Sequence, residues 1–212
     1  MLLYCMTEAE TAVDRLPPGV GEAPVEALAA GGVLCFYSRV QNLTASAEGF
    51  RADALRFHAV VRAILDRAAV VPFRFPALLE TDLEIREFLA SHAPAYLQDL
   101  RRLRGLVQME VRIKAEDAFP EPQSGKEYMD ARAAETRALQ AHADAVVAAA
   151  GGLIAEWQAR REACGLRGYA LVRREQVAAF EQRVRALSPV QGASIMVSGP
   201  WPPSEFLHVG NP

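Results

Sequence analysis

The stretch GYALVRREQVAAFEQRVRALSPVQGASIMVSGP, residues 168–200, decides the fold of this chain. It opens with a short strand pattern at 168–173 and continues with apolar residues at helical spacing, namely Val177, Phe180, Val184 and Leu187. A second strand pattern follows, with one apolar face formed by Ala193, Ile195 and Val197. Strand, helix and strand in about 30 residues predict a βαβ crossover, whose two strands lie parallel in one sheet.

A third strand is predicted ahead of this unit, over 106–114. Its alternate residues form one apolar face, made of Val107, Met109, Val111 and Ile113. The three strands together suggest a ferredoxin-like layer, with helices on one face of a small sheet. That pattern needs a fourth strand, which the sequence does not place. Residues 126–163 instead predict an Ala-rich helical insertion, broken at Gly151–Gly152.

The first half of the chain predicts a second α+β domain. Strands are expected at 2–6, 31–40 and 70–75, and Pro72 restricts the last of these to a sheet edge or a bulge. The segment between the first two strands is expected to end in a short helix near residue 30. An amphipathic stripe predicts a further helix over 50–69.

Two more helices are expected before the domain boundary. Thr81 and Glu84 form a capping-box start for the first, and Pro94 is placed in the first turn of the second, which ends before Gly105. The predicted fold class is therefore α+β with two domains. The domains are an N-terminal one over 1–104, a ferredoxin-like one over 105–198, and a tail over 199–212.

Composition excludes several classes of function. The 212 residues carry a formal net charge of −3, which gives no basic field for nucleic acid or anionic lipid. No apolar run approaches the roughly 20 residues that cross a bilayer. Cys5, Cys35 and Cys164 are far apart and odd in number, so we expect reduced, mostly buried thiols in a cytosolic protein.

Catalytic motifs are not found in the sequence. The SGKEY stretch at 124–128 contains a Gly-Lys pair, but Glu127 follows the lysine where a P-loop needs Ser or Thr. The alternative is a helix start with Ser124 as N-cap and Glu127 at the third position. The four histidines lie in separate elements without metal-ligand spacing. We therefore expect no enzyme activity, no catalytic residues, no cofactor and no metal.

The stretch SGPWPPSEF, residues 198–206, is unusual for a tail because it combines three prolines with two aromatic residues. Gly199 and Pro200 are expected to end the strand, and the prolines stiffen the segment into extended geometry. We predict a strap that packs across both domains, with its contacts made by Trp201, Pro202, Pro203 and Phe206. The alternative is a PxxP ligand for the groove of another protein.

A second contact site is considered in the strand VVPFRF at 70–75. Strand alternation puts Phe73 and Phe75 on one face and Arg74 on the other. Arg74 then contacts an acidic partner, or else forms a partly buried pair with a carboxylate of the same chain.

These stretches together resemble the gas vesicle GvpL/GvpF family. The strand VVPFRF, the strand VQMEVRIK ahead of SGKEYM, and the closing YALVRREQVAAFEQRV with SGPWPPSEF occur in the family's order, over roughly residues 30–206. The resemblance implies a two-domain α+β fold and a non-enzymatic role in gas vesicle formation. It also implies a minor vesicle component or assembly factor that binds the hydrophobic shell protein and other accessory proteins, and that limits aggregation of the shell protein.

Several residues depart from the family pattern. Cys5 stands where a glycine is usual, Phe73 replaces methionine, Pro76 replaces glycine and Lys126 replaces arginine. Ser204 likewise departs from the usual residue after the prolines. These departures leave the fold unchanged and bear on the choice of partner.

The alternative function is a ferredoxin-like small-molecule sensor or enzyme, which a concave polar pocket would indicate. RNA binding is disfavoured by the acidic charge balance.

Overall fold

The structure is a computed structural model that describes residues 1–41, 43, 46–115, 124–163, 165–187 and 193–208. Cys164, predicted above to be a reduced thiol, lies outside the described residues. The chain divides into two compact units, the first formed by Met1–Gly105 with Pro202–Pro212 and the second by Leu106–Trp201. Within the described residues each unit holds a four-stranded antiparallel sheet and two α-helices.

Among its described residues, the first unit contains four strands and two α-helices, which are β1 (Leu2–Glu8), β2 (Glu26–Ala30), β3 (Val33–Ser38), α1 (Ala47–Leu65), β4 (Val71–Leu78) and α2 (Asp82–Arg102). The strand order across its sheet is β2-β3-β1-β4. β4 therefore lies at an edge, as Pro72 predicts, and its pairing with β1 also contains a register shift.

The central strand β1 carries side chains to both helices of this unit. Leu3 belongs to the buried cluster that includes Ile85 and Leu89 of α2. The neighbouring residue Tyr4 places its ring 5.3 Å from that of Phe57 in α1. Because successive side chains of a strand point to opposite faces, α1 and α2 cover opposite faces of the sheet.

The predicted short helix before residue 30 is wrong, because Glu26–Ala30 forms strand β2. A two-residue turn joins β2 to β3, with φ of +60° at Gly31 and +85° at Gly32. Two glycines with positive φ form the tight hairpin turn that brings the flanking segments into antiparallel register. This pairing overrides the helical preference of the Ala- and Glu-rich segment.

The two helices predicted on either side of Pro94 form the single helix α2. Thr81 is its N-cap, and the Thr81 side chain accepts a hydrogen bond from the Glu84 amide. The buried stripe of the helix continues through the proline, with members Ile85, Leu89, Ala93, Tyr96 and Leu100. Continuous burial of this stripe outweighs the one backbone hydrogen bond that a proline removes from a helix.

The described part of the second unit contains four strands and two α-helices, which are β5 (Leu106–Ala115), α3 (Gly125–Ala150), β6 (Ile154–Glu162), β7 (Gly165–Arg173), α4 (Val177–Arg185) and β8 (Ala193–Trp201). The strand order across the sheet is β6-β7-β5-β8. β7 and β8 are both antiparallel to β5 and therefore parallel to each other, which confirms the predicted crossover.

The helices of this unit cover one face of its sheet. The predicted apolar face of β5 is fully buried. Its members Met109, Val111 and Ile113 pack in one cluster with Leu139 and Val146 of α3 and Phe180 and Val184 of α4. The alternate side chains of β5 point to the opposite face, where they are Gln108, Glu110, Arg112 and Lys114.

The predicted helical block over 126–163 is wrong in its second part, because α3 ends at Ala150 and Ile154–Glu162 forms strand β6. β6 pairs with β7 along its length, and Trp157 lies over Gly168 so closely that a Cβ there would be 2.1 Å from the indole. Long-range pairing and this packing decide against the helix. β6 is the fourth strand that the sequence did not place.

The prediction that Gly199 and Pro200 end the last strand is also wrong, because β8 continues to Trp201. β8 lies at the edge of the sheet, where a proline needs no partner for its missing amide hydrogen. A register shift between the pairs Gln108–Trp201 and Glu110–Ser198 accommodates one extra residue.

Candidate interaction surfaces

The end of the tail is anchored in the first unit. Phe206 is 2 % exposed, and its carbonyl accepts a hydrogen bond from the Arg102 guanidinium of α2. The backbone amide of His208 donates to Asp99 at 2.9 Å. Pro203 is buried and Pro202 is half-buried. Phe206 is therefore the aromatic anchor of the tail.

Trp201 does not have the burial that the sequence predicts. Its side chain is 39 % exposed, and its indole Nε1 donates to the Ser198 hydroxyl at 3.3 Å. The residue is the last of β8, opposite Gln108, on the sheet face that lies away from the helices. The expectation that Trp201 is a buried strap residue is wrong, and the physical reason is that β8 continues beyond Pro200.

The predicted arrangement of Phe73 and Phe75 on one face is also wrong. Leu3 of β1 pairs with Ala77 of β4, and Cys5 pairs with Pro72. Between these two pairs β4 therefore has more residues than β1. The surplus residues in β4 break the strict alternation of the strand. Phe73 packs 5.8 Å from Phe88 of α2, whereas Phe75 packs on the side of α1.

Arg74 is exposed to solvent. This contradicts partial burial of its guanidinium, which one of the two interpretations expects. The interpretation of Arg74 as a contact for a partner stays a prediction.

Phe50 and Leu78 are exposed apolar residues on the α1 side of the first sheet. Phe50, in the first turn of α1, has its ring centroid 5.1 Å from that of Phe75, with the two rings tilted, and is 44 % exposed. Leu78 of β4 is 53 % exposed, and it lies on the α1 side because its neighbour Ala77 packs into the cluster around α2. We call Phe50, Phe75 and Leu78 the β4 surface. The sequence did not single out Phe50 or Leu78, because an apolar stripe does not show which of its members remain uncovered.

A cleft in the first unit bears on the small-molecule alternative. It has a volume of about 600 Å³ and is lined in part by Glu8, Arg101 and Arg104. Glu8 accepts a hydrogen bond from Arg104 at 2.6 Å and lies 3.7 Å from Arg101. The charges that line the cleft therefore neutralise one another, and the cleft does not lie on the sheet of the second unit.

The SGKEY stretch is a helix start, as its second interpretation predicts. The Ser124 side chain accepts a hydrogen bond from the Glu127 amide at the N-terminus of α3. Among the described residues, no group of three or more His, Cys, Asp or Glu side chains is placed to hold a metal ion. No helix in the described part of the chain is long and apolar enough to cross a membrane.

Two antiparallel sheets with two helices each, and exposed apolar side chains beside one sheet edge, define an α+β protein with candidate surfaces for protein–protein contact. The chain matches the family model described as gas vesicle synthesis protein GvpL/GvpF over residues 1–208. It therefore belongs to the GvpL/GvpF family.

Solved structures show the same fold. The gas vesicle protein GvpF from Anabaena sp. PCC7120 has a TM-score of 0.77 at 13 % identity, covering 97 % of this chain and 94 % of that one. GvpF from Microcystis aeruginosa has a TM-score of 0.80 at 14 % identity, covering 97 % and 98 % of the two chains. A search of curated proteins gives no match.

Proposed function

We propose that this protein is an assembly factor of gas vesicles that binds the hydrophobic shell protein and limits its aggregation before assembly. Membership of the GvpL/GvpF family gives the chain a role in gas vesicle formation. The proposal adds a non-enzymatic mechanism, contacts with other vesicle accessory proteins, and a location at the gas vesicle in the cytoplasm. The observation that carries it is the β4 surface.

The chemistry of the β4 surface suits an apolar partner. A subunit that packs into a water-excluding wall exposes apolar area before assembly, and such area aggregates. Phe50 offers an exposed apolar side chain beside the half-buried ring of Phe75, and Leu78 offers a second one on the strand that carries Phe75. Burying apolar area against them is worth about 25 cal/mol per Å² before the costs of association.

The edge position of β4 raises the question of whether a partner adds a strand to this sheet. Pro72 and Pro76 both lie within β4 and lack the amide hydrogen that a paired strand donates. Prolines on an edge strand oppose strand addition. We therefore assign the contact to side chains of the β4 surface and not to backbone pairing.

We also infer a ferredoxin-like fold for the second unit. Its elements follow the order β-α-β-β-α-β, and β5 lies between the two parallel strands β7 and β8. This is the split βαβ arrangement. The division into an N-terminal domain, a ferredoxin-like domain and a C-terminal tail remains our proposal for the domain organisation. No feature of the cleft beside Glu8 favours the sensor or enzyme alternative.

The test measures binding and aggregation with the major shell protein of the same vesicle. We expect the wild-type protein to co-purify with the shell protein and to suppress its turbidity at comparable molar ratio. The double variant F50S/L78S should lose most of both effects. Leu55→Ser is the matched control, because Leu55 is an exposed leucine of the same helix, roughly 140° around the axis from Phe50.

The dependence on salt separates apolar from electrostatic binding. We expect little change between low and high salt, because apolar contacts are not screened. Equal loss in the F50S/L78S and Leu55→Ser proteins, or no binding of the shell protein by the wild type, would contradict the proposal.

A further inference from the structure

Three arginines form a row across the sheet of the second unit. In the β5–β7 pairing Arg112 lies directly opposite Arg167, and in the β6–β7 pairing Arg160 lies directly opposite the same residue. The register therefore places the three arginines side by side on three adjacent strands, about 5 Å apart from strand to strand. We call Arg112, Arg167 and Arg160 the arginine row.

The row lies on the face of the sheet opposite the helices. The neighbours of these residues along each strand, such as Val111 and Leu166, pack into the cluster with α3 and α4. Arg112 and Arg160 are exposed, and Arg160 lies over the Tyr169 ring at 5.8 Å. Arg167, in the middle of the row, is half-buried, so Arg112 and Arg160 are the members most open to solvent.

Like charges directly opposite one another on paired strands destabilise a sheet. Carboxylates on the same face, Glu110 and Glu162 among them, compensate part of this repulsion. Glu110 pairs with Arg112 and lies 3.7 Å from Arg167, and Glu162 lies 2.7 Å from Arg167. Lys114, two positions beyond Arg112 on the same strand face, adds a further cation. This end of the face is therefore cationic, although the whole chain carries a net charge of −3.

An exposed apolar residue continues the row. Met196 of β8 lies directly opposite Arg112, and it is 55 % exposed. The register of the four strands thus gives methionine, arginine, arginine and arginine in one line across the sheet.

We propose that this face binds an acidic segment of a protein partner, with carboxylates on the arginine row and an apolar side chain against Met196. Arginine binds carboxylates through paired hydrogen bonds, which gives both affinity and orientation. In an extended segment, alternate residues lie on one side at about 7 Å spacing, so two carboxylates match the length of the row. The charge complementarity of the row selects an anionic occupant.

A protein segment is favoured over a nucleic acid. Single-stranded nucleic acids need exposed aromatic rings on which bases stack, and Tyr169, the aromatic residue next to the row, is 7 % exposed. The overall negative charge of the chain also opposes a polyanion more than a short acidic segment. This inference concerns a different surface from the β4 surface and does not rest on the proposed function.

The test uses a short fluorescein-labelled peptide of glutamates and two leucines, with a glutamine-for-glutamate version as its control. We expect fluorescence anisotropy to show binding of the glutamate peptide by the full chain, weakening as salt is raised. The R112Q/R160Q variant should bind about tenfold more weakly, since each exposed ion pair contributes a few-fold in affinity. Arg167 is left unchanged because it forms ion pairs with Glu162 and Glu110, which its removal would break.

A matched variant separates a local site from general charge effects. K126Q/R137Q removes the same charge from exposed positions of α3, on the other face of the sheet, and should bind like the wild type. Met196→Ala should weaken binding of the leucine-containing peptide a few-fold. Circular dichroism spectra check that each variant is folded.

Three outcomes would overturn the inference. They are undetectable binding of the glutamate peptide, equal weakening in the R112Q/R160Q and K126Q/R137Q variants, and displacement of the peptide by single-stranded DNA at lower concentration than by unlabelled peptide. The last result would identify a nucleic-acid surface. Because the assay contains no vesicle protein, its outcome is independent of shell-protein binding.

Discussion

The buried carboxylate of Asp99 accepts a hydrogen bond from the backbone amide of His208 at 2.9 Å, although 109 positions separate the two residues. Asp99 is fully buried in α2, and it also lies 3.0 Å from His208 Nδ1 and 3.3 Å from Arg102. Arg102 in turn donates to the Phe206 carbonyl. The tail is thus held by a polar network around one carboxylate and by one buried ring.

The first prediction concerns Asp99. Asp99→Asn removes the charge that binds Arg102 and His208 while keeping the size of the side chain. We expect a loss of about 2 kcal/mol in the free energy of unfolding, since hydrogen bonds to charged groups contribute about 1.5–3 kcal/mol. Urea denaturation measures it. Asp144→Asn, at an exposed carboxylate of α3, should change stability little; equal effects of the two changes would contradict a special role for Asp99.

The second prediction compares the two aromatic residues of the tail. Phe206→Ala should lower the free energy of unfolding by about 3–5 kcal/mol, the usual cost of truncating a buried phenylalanine. Trp201→Ala should cost clearly less, because Trp201 is partly exposed and at the end of an edge strand. The melting temperatures of the two variants show which change destabilises the protein more. A larger loss for Trp201→Ala would restore Trp201 as the main anchor of the predicted strap.

The third prediction concerns Gly199. This residue has φ of +133°, and a Cβ there would lie 2.8 Å from the Met109 sulfur and 3.0 Å from the Gln108 carbonyl oxygen. Gly199→Ala should therefore destabilise the protein by about 2 kcal/mol through backbone strain and this close contact. Gly125→Ala is the control, since no atom lies within 4 Å of a Cβ at that helix start. Thermal unfolding of both variants tests it, and an unaltered melting temperature for Gly199→Ala would show that the bulge relaxes freely.

Local patterns predicted the elements whose side chains follow a clean period. The alternation from Val107 to Ile113 gave the buried face of β5, and the spacing from Val177 to Val184 gave α4. The capping residue Ser124 predicted the start of α3 correctly. In each case the residues that determine the element lie within it, so that no distant contact is needed to read the signal.

Distant contacts decided the elements that the sequence did not predict. The segments that form β2 and β6 are rich in residues that favour helices, and they are strands because β3 and β7 pair with them. Phe75 lies beside α1 because of a register shift against β1, which no local pattern shows. The candidate surfaces could not be predicted from the sequence for the same reason. Exposure of Phe50 and the alignment of Arg112 with Arg167 depend on packing and register.

The last prediction concerns the buried thiol of Cys35 in β3. Burial raises the pKa of this thiol to about 12, whereas an unfolded cysteine titrates near pH 8.5, about its ordinary value. The folded protein therefore retains a proton that the unfolded chain loses in alkaline solution. The stability that this thiol contributes is fully present below about pH 8.5 and is lost as the pH rises towards 12.

Comparison with Cys35→Ala measures this contribution together with the electrostatic effect of Cys35 on the pKa of the Cys5 thiol. The remaining titrating groups are common to both proteins. We expect the free energy of unfolding of the wild type, relative to Cys35→Ala, to fall between about pH 9 and pH 11 by up to roughly 1.4 kcal/mol per pH unit. Urea titrations under reducing conditions at several pH values measure the difference. A difference that stays constant over this range would mean that the Cys35 thiol ionises as readily in the folded protein as in the unfolded chain, and that its burial is less complete than the structure shows.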